Sequence, residues 1–267
     1  MALLWLRVAV LLYGVAALAV LPAALYDRPR WRHLAIPAAV AALFFHFVSL
    51  AETMAAAHRY LPIDAHETQS VLGLLLVAGF LLVYLRYRTL ALGIFVLPIS
   101  VLLTLVPAFR PGQETLPLAH TGWIILHIVT ILAAYAALLV SLLASVLYLV
   151  QERRLKRKQT SIRGLPPLET TDQIALKALL FGLPCMTISL FIGSMLAQET
   201  VGAVFFRDPK VVLSFVMWVA YCAMIFVRRH SGLRGRRAIY MASFIVFVIL
   251  TVWAANQFSA VHRFPSP

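Results

Sequence analysis

Acidic residues are scarce in this chain. Ten aspartates and glutamates stand among 267 residues, and charged residues of both signs reach only 12%. A soluble domain of this length needs far more polar surface to stay dispersed. Cysteine is equally thin: Cys185 and Cys222 both fall inside apolar runs, with no CxxC or CxxCH spacing. That excludes a thiol redox relay and a thioether-linked prosthetic group on this chain. No glycine-rich phosphate loop, HExxH or GxSxG is present, so ATP-driven transport and the common hydrolase chemistries have no motif to stand on.

What the chain has instead is apolar length. Hydrophobic residues make up 62%, mean hydropathy is +0.90, and several runs reach the roughly 20 residues that cross a hydrocarbon core. The 23 lysines and arginines give a formal charge of +13. They sit in short clusters between apolar runs and form no exposed basic domain, which argues against nucleic acid as a partner and for membrane lipid. The N-terminal segment lacks a basic leader region and a small-residue cleavage site, so it reads as a retained span.

Apolar runs and polar breaks predict an all-α, polytopic membrane helix bundle of about eight transmembrane helices, one integral domain over 1–267. The spans fall near 2–26, 34–58, 70–86, 90–108, 121–151, 174–199, 210–228 and 237–259. Links alternate in charge. Arg28, Arg30 and Arg32 precede the second span, Arg86 and Arg88 the fourth, Arg153 to Arg163 the sixth, and Arg228 to Arg237 the eighth. The positive-inside rule makes these links cytoplasmic and puts both termini on the outer, periplasmic side of a bacterial inner membrane. The longest polar segment, 152–173, is then a basic cytoplasmic hairpin drawn to anionic lipid or to a cytoplasmic partner.

Polar residues at span ends are cheap, so the deeper ionisable groups carry the information. His46 lies mid-span, with Ser49 and Thr53 on its face. It is either a hydrogen-bonded link between helices or a ligand or proton relay. His120 and His127 are seven residues apart, on one face and about 10 Å apart along the axis. His127 sits inside the outward end, beneath Trp123. His262 follows the last span on the same side, where it is either a solvated tail residue or one of two imidazoles that meet His127 over a planar group. Between them, Asp208 and Pro209 read as a helix cap, while Gly202, Phe205 and Phe206 form an aromatic strip suited to a flat apolar ligand.

From about residue 115 onward, LHIVTILAAYAALLVSLLASVLYLVQERRLKRK and LRGRRAIYMASFIVFVILTVWAANQFSAVHRF resemble the histidine-bearing helix and the terminal helix of the cytochrome c assembly membrane family, the group that includes CcsA, CcmC, HemX and YpjD-type proteins. The resemblance implies haem b held non-covalently by two axial histidines, His127 and His262, beneath a tryptophan-rich strip at 199–210. In that strip this chain reads VGAVFFRDPKV. Gly202, Asp208, Pro209 and Lys210 match, whereas Val201, Phe205 and Arg207 stand at tryptophan positions and Val211 replaces an acidic residue. Lost indoles remove stacking area and N–H donors, which argues against full ligase activity; Arg207 is suited to a haem propionate. His46 resembles the mid-span histidine of the HemX and YpjD branch.

The resemblance thus implies a haem-handling protein of cytochrome c biogenesis, at most a component of a cytochrome c haem lyase. Its partners would be a CcsB/ResB-like membrane protein or apocytochrome c. The alternative is a non-enzymatic membrane scaffold or regulator of the HemX/YpjD kind.

Overall fold

In a bilayer no water reaches the backbone, so each span must satisfy its own amides and carbonyls, and helices are the answer an apolar chain of this composition finds. The computed structural model describes residues 1–26, 28–56, 58, 65–109, 122–158, 165–202 and 209–231, and among these every regular element is helical. They are α1 (Ala2–Leu25), α2 (Pro29–Ala56), α3 (Ala65–Tyr87), α4 (Gly93–Phe109), α5 (Gly122–Lys156), α6 (Leu168–Val201) and α7 (Pro209–Ser231). Six are long and apolar enough to cross a membrane, and α4 is a shorter apolar helix. The chain is therefore a multi-pass membrane protein. Helices stand at the first seven expected spans, six of them of membrane-crossing length; the eighth, 237–259, lies outside the described residues.

Large apolar side chains point away from the protein: Leu11 is 71% exposed and Phe191 68%. Where α1 meets α2 the buried residues are mostly alanine. Ala9, Ala16, Ala19 and Ala23 of α1 are buried, as are Ala35, Ala38, Ala39 and Ala42 of α2, and all eight belong to one core cluster. Small side chains let two backbones approach closely, which is how helices associate when lipid tails remove the hydrophobic driving force. A second cluster fills the space among α5, α6 and α7 with Leu138, Met186, Met217 and Tyr221. Val140, Leu143 and Ala144 of α5 join the first cluster, so α5 is the helix shared by both.

Contacts at the helix ends sort the links onto two faces. At one face Arg32 of α2 meets Tyr84 of α3, Lys177 of α6 lies over Tyr87, Gln151 of α5 donates to the Pro166 carbonyl, and Arg228 of α7 pairs with Asp172 of α6. This is the basic face. At the other, Ser49 of α2 donates to the Ala2 carbonyl and Arg7 of α1 to the Ala108 carbonyl.

Helices α5 and α6 have 35 and 34 residues, about 50 Å each at 1.5 Å per residue, against a hydrocarbon core of about 30 Å. The expected hairpin at 152–173 therefore begins and ends as helix. Helix α5 continues through Lys156 and α6 starts at Leu168, because Glu, Arg, Lys and Leu are good helix formers once the chain leaves the lipid.

The Arg228–Asp172 pair locks α7 onto α6, with side chains only 5% and 16% exposed. Removing one partner of a buried pair strands the other charge. Arg228→Ala should therefore lower stability by about 3 kcal/mol, and the Arg228→Gln/Asp172→Asn double variant by less. Thermal unfolding in detergent micelles measures both, and equal losses would show that the pair is not a coupled unit.

Candidate functional site

His46 is completely buried. Its Nδ1 shares a 3.2 Å hydrogen bond with the Tyr13 hydroxyl of α1 and its Nε2 a 2.8 Å bond with Ser70 Oγ of α3, while the Tyr13 ring meets the imidazole edge-on. Both nitrogens are engaged and three helices are joined. Ser49 and Thr53 share its helix face but bond elsewhere, Ser49 to the Ala2 carbonyl and Thr53 to the Ser49 carbonyl. Tyr13 and Ser70, the actual partners, were not among the sequence candidates.

His127 stands five residues into α5 and is half-buried against α6. Its Nδ1 is 2.8 Å from the Ser189 carbonyl oxygen and 3.0 Å from Ser189 Oγ, and the Ser189 hydroxyl donates to the His127 carbonyl at 3.1 Å. A carbonyl only accepts, so Nδ1 carries the proton. In the neutral ring, Nε2 then holds the lone pair. This hydrogen bond fixes both the tautomer and the direction of the ring.

The ring fits because α6 has no side chain at Gly193. A Cβ placed there would lie 2.5 Å from His127 Cε1 and 2.9 Å from Nδ1. Ser189 and Gly193 form a small-xxx-small pair, the pattern that lets neighbouring helices pack closely. Recognising it in SLFIG was the one sequence signal that would have found the partners of His127. A similar notch occurs at Gly182, where a Cβ would lie on the Tyr221 hydroxyl of α7.

Trp123, one turn before His127, is 64% exposed and faces outward from the bundle. Helix α6 runs twelve residues past Ser189, about 18 Å, whereas α5 begins only five residues before His127. The end of α6 therefore overhangs the start of α5. Phe205, Phe206, Arg207, Asp208, His120 and His262 lie outside the described residues. Among the described residues no group of three or more His, Cys, Asp or Glu is placed to hold a metal ion.

Comparison with known proteins is consistent along nearly the whole chain. The family model described as Cytochrome C assembly protein matches residues 7–254. The chain is similar to the cytochrome c biogenesis protein CcsA of Prochlorococcus marinus strain MIT 9515, 29% identical over 196 residues, which are 65% of this chain and 60% of that protein. It is similar to CcsA of Guillardia theta at 26% over 199 residues, 65% of each chain, and to CcsA of Heterosigma akashiwo strain NIES-293 at 23% over 234 residues, 73% of each. The matches span less than two thirds of the first two relatives. No solved structure matches. A match from residue 7 to residue 254, on a bundle of apolar helices, means that the chain belongs to the cytochrome c assembly protein family.

Proposed function

We propose that this protein handles haem in cytochrome c biogenesis, binding haem b non-covalently at the outer membrane face and presenting it to a partner membrane protein or to apocytochrome c. One observation carries the proposal: His127 gives its Nδ1 proton to the Ser189 carbonyl. Histidines that ligate metals almost always donate the other ring N–H to a carbonyl or carboxylate, which fixes the tautomer and raises ligand basicity. His127 has that arrangement, so its chemistry fits a haem iron approached by Nε2. In this assignment His262 is the second axial ligand, Arg207 meets a propionate, and Trp123, Phe205 and Phe206 line the flat apolar faces. The same assignment gives Asp208 the role of N-cap to α7, the reading its place before Pro209 suggests.

Bound haem is the cargo, and the chain's own residues bind and orient it; no catalytic acid, base or nucleophile is assigned. The basic face, with Arg28, Arg32, Arg86, Arg88, Arg153, Arg154 and Arg228, is the cytoplasmic one by the positive-inside rule. That orientation puts His127, near the opposite end of α5, at the periplasmic side of a bacterial cytoplasmic membrane. His46 takes the role of a link between α1, α2 and α3, because both of its nitrogens are already bonded there.

A second reading draws on the same hydrogen bonds. If His127 serves only to join α5 to α6, the chain is a non-enzymatic scaffold of the HemX/YpjD kind. The long basic α5–α6 hairpin would then capture a partner, and neutralising Arg153, Arg154 and Lys156 would abolish capture.

The absorption spectrum of protein purified from haem-replete cells separates the two. Haem handling predicts a Soret band that is lost in His127→Ala and His262→Ala and restored by added imidazole. No band, or a band unaffected by either substitution, rejects the ligand assignment. The fit at Gly193 gives an independent prediction. Gly193→Ala should displace the imidazole and weaken haem binding about tenfold, the lower end of the cost of disturbing an outer-shell partner. Gly14→Ala, where a Cβ meets nothing within 4 Å, should leave the titration unchanged.

A further inference from the structure

At the basic face four cations surround two tyrosines. Tyr84 and Tyr87 lie three apart on the last turn of α3, so their side chains are neighbours. Arg32 of α2 donates from Nε to the Tyr84 hydroxyl at 3.2 Å and carries its guanidinium 5.6 Å from that ring centre. Arg88 lies over the same ring at 6.0 Å. It has a left-handed backbone, φ 54, and its N–H bonds the Tyr84 carbonyl, so the chain end folds back over the tyrosine. Arg86 stands 5.5 Å from the Tyr87 ring, and Lys177 of α6 stands 5.4 Å from it.

Two features favour an anionic acceptor at this cluster. Among the described residues none of the four cations pairs with a carboxylate. The nearest acids on α6 are engaged elsewhere, Asp172 with Arg228 and Glu169 with Gln173. Neutral ring faces attract each cation but do nothing to offset the repulsion among four of them. In addition, the Tyr87 hydroxyl is buried with no hydrogen-bond partner, a donor waiting for an acceptor.

Depth identifies the source of the acceptor. The cluster lies where α2 starts and α3 ends, while α5 and α6 continue beyond it, since Lys177 is already nine residues into α6. Tyr26 and Trp31, both exposed, flank the start of α2, as amphipathic aromatics do at the headgroup level of a bilayer. A basic cluster between helices at this level suits a lipid phosphate.

We propose that Arg32, Arg86, Arg88 and Lys177, set on Tyr84 and Tyr87, bind the phosphate of an anionic phospholipid headgroup, which ties α2 and α3 to α6. The site is independent of haem.

Thermal unfolding and native mass spectrometry of the delipidated full chain in neutral detergent test it. Phosphatidylglycerol or cardiolipin should raise Tm and remain bound in the mass spectrum, whereas phosphatidylcholine should do neither. Arg88→Gln/Lys177→Gln should weaken anionic lipid binding about fivefold per cation removed, and Tyr87→Phe should weaken it without any change of charge. Arg153→Gln/Arg154→Gln removes as much charge from the same face outside the cluster and should bind as the parent does. Equal loss in this control would reduce the effect to general surface attraction and overturn the site. An equal shift with inorganic phosphate would overturn the lipid as its source. If the double variant fails to accumulate, Tyr87→Phe decides alone: unchanged lipid affinity rejects the proposal.

Discussion

A polar group inside hydrocarbon has no water to fall back on, and in this bundle most buried imidazoles and hydroxyls take their partners from within the protein. Serines and threonines solve the problem locally by bonding the carbonyl one turn back, as Thr104 does with Ser100 and Ser145 with Ser141. An imidazole has two nitrogens at opposite edges and needs a neighbouring helix. His46 and His127 both meet this demand, with different neighbours. His46 gives one nitrogen to α1 and one to α3 and so becomes part of the frame. His127 is held through Nδ1 by α6, and Nε2 is the nitrogen that the haem proposal uses.

The packing around each follows from that difference. The α1–α4 region is dense with alanine and closes around His46. The hairpin of α5 and α6 instead uses glycine notches, at Gly182 for Tyr221 and at Gly193 for His127. Substituting either glycine would push a large polar side chain out of its place between helices. Helix α5 joins both cores through Val140 and Leu143 on one side and Leu138 on the other, so the ring of His127 is mounted on the helix that the two cores share. Rigid mounting is what a ligand needs if a bound group is to be held in one orientation.

Helix existence was legible in the sequence because span length and alternating charge are properties of whole segments. Helix ends were less so. Hydropathy falls where α5 leaves the lipid near residue 151, yet the helix runs to Lys156, since QERRLK favours helix in water as well. Rotational phase was not legible at all. A helix that is apolar all round gives no moment to say which face meets a neighbour, and so Tyr13, Ser70, Ser189 and Gly193 stayed hidden while His46 and His127 stood out as isolated polar letters. The family resemblance was carried by segments, and the family match from 7 to 254 agrees with it. Residues 203–208 of the eroded tryptophan strip and His262 lie outside the described residues.

Membership of the cytochrome c assembly family and a histidine held in a metal-ready tautomer converge on one claim, that Nε2 of His127 is an iron ligand. A cryo-EM structure of the haem-loaded protein tests it most directly. The account predicts haem at the non-basic end of the bundle, with iron within coordination distance of His127 Nε2 and with Nδ1 still bonded to the Ser189 carbonyl. Haem seated elsewhere, with the His127 ring packed against Gly193 and remote from the iron, would contradict it.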